Sequence, residues 1–254
     1  MKESLNFDVE LLKEEAYQRV LILENRTKFQ FPAHIQAVLV LGGPGTYIDR
    51  LKPQEDEWMR WMNRDRVRAG VAVVREITRS AKSHRRRKQI KLQEISLNDI
   101  LELGPYFVYN GAPAENESLR LALSSPFNRL PQKKVIIIDE ILEENQSLRP
   151  IHHTHDQIKS FYQEVAKWQS LLHHVQNIAL VSHSPHFIRI PHYIRHFEQI
   201  FLEQNRRILS WWAYGVKSRP GVFEKFAADE LEKLVEYAKL GYLSATPTVH
   251  LTIA

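Results

Sequence analysis

The sequence predicts an α/β fold: a three-layer α/β/α, Rossmann-like architecture with a mainly parallel sheet. Two observations support this fold class. Short apolar runs that are typical of buried strands alternate with longer segments of helical periodicity. Several of these runs end at polar or glycine-rich turns. Strands that alternate with helices form βαβ units, which place parallel strands side by side with helices on both faces of the sheet.

The predicted strands are short apolar runs. The run from Ile35 to Leu41 lies between Pro32 and Gly42, which is typical of a buried strand that enters a tight turn. The run over 134–139 contains three consecutive isoleucines and is the clearest strand in the chain. The full set of predicted strands covers residues 35–41, 106–109, 134–139, 177–182 and 208–214.

Amphipathic helices are predicted between the strands. The segment over 155–174 carries Trp168 and Leu172 on its apolar face, so both are predicted to be buried. The last helix is predicted to end at Gly241, because glycine favours the left-handed conformation that closes many helices. The full set of predicted helices covers residues 8–26, 55–79, 96–103, 118–123, 155–174, 191–201 and 223–240.

Length and composition limit the class of protein. The 254 residues fit one domain, with a helical extension over 1–30, a core over 35–241 and a basic insertion over 80–105. The absence of cysteine excludes a disulfide scaffold, a cysteine nucleophile and a cysteine zinc site. No apolar run approaches the roughly 18 residues of a membrane span, and the first residues do not resemble a signal peptide. We therefore expect a soluble cytoplasmic protein.

The net charge of +5 is concentrated in one segment. Residues 75–91 hold eight basic side chains and one acidic side chain, and the rest of the chain is slightly acidic. Residues 82–91 therefore offer a nucleic-acid-binding module as one alternative function. The segment lacks interleaved aromatic residues for base stacking, which favours a solvent-exposed segment instead.

Polar residues follow four of the predicted strands. Because the carboxyl ends of parallel strands meet at one edge of the sheet, these turns are expected to lie together and to form a ligand site. The glycine-rich turn allows backbone N–H groups to approach an anion closely. The turns run from Gly42 to Gly45, over Asn110 and Gly111, over Asp139 and Glu140, and from Ser182 to His186.

The fourth turn carries the most specific chemistry. His186 and Arg189 are three residues apart and share a face if Pro185 opens a helical turn. A histidine passes protons near neutral pH, and an arginine binds a carboxylate or phosphate through two N–H groups. Glu115 and Glu117, near the start of the 118–123 helix, are candidate acid/base groups or ribose acceptors.

A second alternative is a metal-dependent hydrolase. His152, His153 and His155 lie close together in the sequence, and imidazole is a common ligand of zinc and other transition metals. With His186 they supply four candidate ligands. The competing interpretation is that Thr154 or Asp156 caps a helix and that the histidines are solvated.

Taken in order, these motifs resemble the YdcF/SanA/ElyC-like domain-of-unknown-function family, in its soluble, YdcF-like branch. The most specific match is V-S-H-S-P-H-F-I-R over 181–189, which is similar to the family's V-T-S-x-x-H-M-x-R element. The resemblance covers about residues 35–241. The other matching segments are 40–43, 66–70, 110–112 with Glu115 or Glu117, 139–140, 153–157 and 234–241.

The resemblance implies a Rossmann-like fold, a pocket at the strand ends and enzymatic activity, with the reaction left open between a transferase and a hydrolase. It also implies a link to cell-envelope metabolism and a small anionic or nucleotide-type ligand, such as S-adenosylmethionine. The expected catalytic residues are Glu115, Glu117 and His186. The expected ligand-binding residues are Gly42, Gly43, Arg66, Asn110, Gly111, Asp139, Glu140, Thr154, Ser182 and Arg189.

Overall fold

The computed structural model describes residues 8–42, 53–113, 116–126, 128–205 and 207–254. The side chains of helical residues 53–61, 117–118, 121–122 and 205 lie outside the description. The helices are α1 (Val9–Asn25), α2 (Pro53–Arg86), α3 (Leu97–Leu103), α4 (Asn116–Ser124), α5 (Thr154–Ala166), α6 (Ile190–Asn205) and α7 (Phe223–Lys239). The strands are β1 (Ala37–Leu41), β2 (Tyr106–Asn110), β3 (Val135–Ile138), β4 (Glu140–Leu142), β5 (Leu148–Pro150), β6 (Asn177–His183), β7 (Ser210–Val216) and β8 (Leu251–Ile253).

The predicted fold class is confirmed. Six strands form one parallel sheet in the order β3-β2-β1-β6-β7-β8, and β4 and β5 form a separate antiparallel hairpin. The chain proceeds outward from β1 to β3 and then returns to the other side of β1 with β6. The strand order therefore reverses between β1 and β6, and in Rossmann-like sheets ligands bind at the carboxyl ends of the strands beside such a point.

Both faces of the sheet are buried. In β1, Leu39 and Leu41 pack into the core on one face, whereas Val38 and Val40 pack into the core on the other. This alternation follows from the two-residue period of a strand, and it explains why the strands read as continuous apolar runs. Helices α1, α5, α6 and α7 cover the first face, and α2, α3 and α4 cover the second.

Several element boundaries differ from the prediction. Helix α5 ends at Ala166, because Lys167 adopts an extended conformation, and Trp168 is 82% exposed. The prediction that Trp168 is buried on a helix face was therefore wrong, whereas Leu172 is buried from the turn that follows. Helix α7 ends as predicted before Gly241, whose φ is 76°. The hairpin β4–β5 and strand β8 were not predicted.

The segment proposed as a basic insertion has regular structure. Helix α2 continues to Arg86 and is followed by a 3₁₀ helix and by α3. The Nζ atom of Lys82 lies 2.8 Å from Oδ2 of Asp99 and donates to the carbonyl of Glu94, so this lysine joins α2 to α3. Within the described ranges, no helix is long and apolar enough to cross a membrane.

Candidate functional site

A cavity of about 1170 Å³ lies at the carboxyl edge of the sheet, beside the point where the strand order reverses. Gly42 from the end of β1 lines it, together with His186 and Arg189, which follow β6. The N-terminal turn of α5 forms one wall and helix α7 forms another. The cavity is therefore built from elements that are far apart in sequence.

Arg66 and Gln157 hold the strand ends together beneath the cavity. Arg66, which is fully buried, donates from Nη1 to the carbonyls of Leu41 (3.1 Å) and Gly42 (2.8 Å). Gln157 donates from Nε2 to the carbonyls of Gly42 (3.2 Å) and Asn110 (2.7 Å). These contacts add side-chain donors to the carbonyl groups at and after the last residues of β1 and β2, which fixes the ends of these strands.

His186 presents one ring nitrogen to the cavity. Its Nδ1 lies 3.2 Å from Nη2 of Arg66 and 3.1 Å from Oγ of Ser182. Its Nε2 makes no hydrogen bond within the described residues, and Oε1 of Glu230 lies 4.0 Å away. The residue is only 7% exposed. Burial, followed by the charges of Arg66 and Arg189, holds the pKa of His186 well below its usual value, so the ring is neutral.

Arg189 forms a buried ion pair that the sequence did not reveal. Its Nε and Nη2 donate to the two carboxylate oxygens of Glu230 at 2.7 and 2.9 Å, and its Nη1 donates to the hydroxyl of Tyr193 at 3.1 Å. The guanidinium also lies 5.5 Å from the ring centre of Tyr237. Glu230 therefore occupies the paired donor face with which Arg189 was expected to bind a ligand.

The N-terminal turn of α5 faces the cavity through Thr154 and His155. The N-cap residue His153 provides no side-chain hydrogen bond, so the first N–H groups of the helix lack a side-chain cap. Asp156 does not cap them, because it pairs with Arg149 at 2.7 and 2.9 Å and accepts from the backbone N–H of His152. Burial favours the neutral form of Asp156, but His155, Arg149 and this N–H outweigh it and lower its pKa.

Apart from those outside the described residues, the predicted catalytic and ligand-binding residues separate into two groups. Gly42, Thr154, His186 and Arg189 line the cavity. Gly43 and Glu115 lie outside the described residues, as does the side chain of Glu117. The remaining predicted residues do not line the cavity: Arg66, Asn110, Gly111, Asp139, Glu140 and Ser182.

Each residue of this second group has another role or position. Asn110 is fully buried and donates to Ser160 and to the carbonyl of Gln157. Asp139 accepts from Asn116 at 2.6 Å, and Glu140 begins the hairpin on the surface. Gly111 is buried and bonds to the carbonyl of Ile138, which continues the pairing of β2 with β3. Arg66 donates hydrogen bonds to the carbonyls of Leu41 and Gly42 and lies in hydrogen-bonding contact with His186.

Ser182 lies in hydrogen-bonding contact with His186, but it is fully buried and does not line the cavity. A nucleophilic serine has to reach its substrate, so this pair is not arranged for nucleophilic catalysis.

The four histidines of the metal hypothesis, His152, His153, His155 and His186, all line the cavity, but they are not placed to share one metal ion. His155 packs against Phe197 and lies near His196, whereas His186 is held by Arg66. The ring centres of His152 and His153 are 6.2 Å apart. Among the residues that the structure describes, no three His, Asp or Glu side chains are placed to share a metal ion.

Helix α7 supplies side chains that the sequence analysis missed. Glu230, Lys233 and Tyr237 line the cavity, and Lys233 lies 2.5 Å from Asp229 and 3.9 Å from Glu230. One signal was present in the sequence. Glu230 falls between Ala227 and Leu234 on the buried stripe of α7, where a carboxylate requires a charged partner.

Comparison with known proteins identifies no relative: no family model matches the chain, and neither a curated protein nor a solved structure does.

Proposed function

We propose that this protein binds a small anionic, nucleotide-type ligand in the cavity at the carboxyl edge of its sheet. The observation that carries the proposal is Nε2 of His186, a ring nitrogen without a hydrogen-bond partner among the described residues, on a side chain that lines a cavity at the reversal of strand order. A ligand that hydrogen-bonds to this nitrogen gains a favourable interaction.

The surroundings of His186 favour an anion. The uncapped N-terminal turn of α5 lines the same cavity, and the dipole of a helix attracts negative charge at this end. Lys225 and Lys233 also line the cavity. Asp156, Asp229 and Glu230 line the cavity as well, and they pair with Arg149, Lys233 and Arg189, respectively.

Aromatic side chains provide a complementary apolar surface. Phe226, Tyr237 and Tyr242 line the cavity from α7 and the turn after it. Rings of this kind stack on planar bases, and the cavity volume is sufficient for a nucleotide. The resemblance to the YdcF-like family favours the same ligand class, and a role in cell-envelope metabolism depends on that resemblance alone.

A thermal-shift panel tests the proposal. The panel contains adenosine monophosphate and a nucleotide sugar as anions, S-adenosylmethionine as a nucleotide-type ligand with a net positive charge, and adenosine as the uncharged counterpart. A ligand at about 100 times its Kd adds about 2.7 kcal/mol to the stability of the folded protein. In a protein of this size this corresponds to a Tm increase of roughly 5–10 °C.

Matched lysine variants locate the binding. We expect the anionic ligand to stabilise the wild type more than adenosine does, and Lys225→Gln with Lys233→Gln to reduce the shift. Lys239→Gln removes a lysine from the same helix outside the cavity lining and should leave the shift unchanged. Failure of every anionic ligand to raise the Tm, or an equal shift in all variants, would refute the proposal.

A further inference from the structure

We infer that Arg66 is a positioning residue that fixes His186 as its Nε2–H tautomer, so that His186 offers the cavity a hydrogen-bond donor and not a proton acceptor. The consequence for the ligand rests on the function proposed above: the group bound at His186 is an oxyanion or carbonyl oxygen. This replaces the expectation that His186 transfers protons.

Backbone carbonyls fix the orientation of Arg66. Its Nη1 donates to two strand-end carbonyls, those of Leu41 and Gly42, which holds the plane of the guanidinium. Its Nη2 then lies 3.2 Å from Nδ1 of His186. A guanidinium has five N–H donors and no acceptor. Nδ1 must therefore accept, and in the neutral ring the single proton is on Nε2.

Ser182 does not determine the tautomer. Its Oγ lies 3.1 Å from Nδ1 of His186, but a hydroxyl either donates or accepts. Ser182 accommodates both tautomers, whereas Arg66 accommodates only one. Replacing each of the two neighbours of Nδ1 in turn therefore shows which of them determines the tautomer of His186.

The charges around His186 disfavour a second proton on the ring. The facing groups are Arg66 from α2, His183 from β6, Arg189 from the turn before α6, and Glu230 and Lys233 from α7. Glu230 is the only carboxylate among these groups, and Arg189 already binds both of its oxygens. An imidazolium would also direct its Nδ1–H at the cationic Arg66.

Long-range ¹H–¹⁵N NMR of the ligand-free protein tests the inference. The His186 signals are assigned by their loss in His186→Gln. We expect a pyridine-type Nδ1 and a pyrrole-type Nε2, with no titration between about pH 8 and about pH 6, the range where an exposed histidine gains its proton.

Two variants separate Arg66 from Ser182. Ser182→Ala should keep the Nε2–H tautomer, because Arg66 still donates to Nδ1. Arg66→Met should release the constraint, seen as a mixture of tautomers or as titration of His186 within the same pH range. An Nδ1–H tautomer in the wild type or in Ser182→Ala, or an unchanged tautomer in folded Arg66→Met, would overturn the inference.

If Arg66→Met does not fold, the wild type and Ser182→Ala still decide the question. No ligand is used, so failure of this inference is distinct from failure of the ligand proposal, which the thermal-shift panel measures.

Discussion

Arginine side chains lie near both ends of the strands, but they are buried at the carboxyl edge and exposed toward the amino ends. At the carboxyl edge, Arg66 and Arg189 are buried and hydrogen-bonded to carbonyls, to His186 or to Glu230. Toward the amino ends, the last turn of α2 and the residue after it expose Arg85, Arg86 and Arg87, none of which forms an ion pair within the described part of the chain. The first pair shapes the cavity, and the second group supplies most of the net charge.

This difference shows why net charge is a poor guide to the cavity. Arg66 and Arg189 hydrogen-bond to backbone carbonyls or to Glu230, so the proposed anion would contact the neutral imidazole of His186, the N–H groups at the start of α5 and the cavity lysines Lys225 and Lys233. The exposed arginines at the end of α2 complement its dipole without any ligand. Stability, pH dependence and binding should therefore differ between the two regions.

The largest expected effect comes from breaking the buried ion pair. Arg189→Ala should destabilise the protein by about 3–5 kcal/mol, because Glu230 remains buried without its partner. Arg85→Ala is the matched exposed control and should change stability by less than about 0.5 kcal/mol. Chemical denaturation measures both. Equal costs would contradict the contrast between the regions, and the expected cost means that loss of binding in Arg189→Ala is not by itself evidence of ligand contact.

The second prediction concerns the stability of the folded protein at low pH. Burial, then the charge of Arg66, lowers the pKa of His183 from 6.5 to about 3. Between these values the unfolded chain binds a proton that the folded protein does not, so stability is complete above about pH 6.5 and falls toward about pH 3. His183→Gln should reduce the loss of unfolding free energy across this pH range by up to a few kcal/mol. Denaturation midpoints measured across this range test it, and an unchanged slope in His183→Gln would contradict it.

The third prediction concerns the ion pair that joins α2 to α3. The hydrogen bond from Lys82, followed by those from Ser96, lowers the pKa of Asp99 from 3.8 to about 2. The carboxylate therefore stabilises the fold above about pH 4, and this contribution is lost as the pH falls toward 2. Asp99→Asn should cost roughly 1–2 kcal/mol near neutral pH, with Glu102→Gln as the exposed control on α3. A cost that persists in acid would argue against the ion pair.

The smallest effect is expected from the exposed arginines. Replacing Arg85, Arg86 and Arg87 by glutamine should change stability by less than about 0.5 kcal/mol and leave nucleotide-induced thermal shifts unaltered. Any affinity of this segment for RNA or DNA should fall with increasing salt and disappear in the triple variant. A smaller nucleotide-induced Tm increase in the triple variant would indicate that the nucleotide binds near the exposed arginines and not in the cavity.

The sequence predicted the sheet because the strands are buried on both faces and therefore appear as continuous apolar runs. It placed Gly42, His186 and Arg189 near one edge of the sheet because the carboxyl ends of parallel strands meet there, whereas Thr154 was expected from the family resemblance. The three-residue strands β4, β5 and β8 are too short to show a period. Trp168 was misplaced because helical periodicity does not reveal where a helix ends.

The spacing of residues along the sequence did not reveal which side chains pair across the fold. Arg189 and Glu230 are 41 positions apart, and only the packing of α7 over the strand ends brings them together. The same limit applies to Arg66, which was expected to bind the ligand and instead binds Gly42 and His186. Motif position indicated which strand ends lie at the cavity, but it did not distinguish side chains that line the cavity from those that support its lining.

The most direct measurement is an NMR titration of the protein with adenosine monophosphate, compared with adenosine. We expect the nucleotide to move the backbone amide signals of Thr154 and His155 and the Nε2 signal of His186, and adenosine to move them less. The signals of Arg85, Arg86 and Arg87 should stay unchanged. A titration that moves only these arginine signals, or none of the cavity signals at saturating nucleotide, would contradict the assignment of an anion site to the carboxyl edge of the sheet.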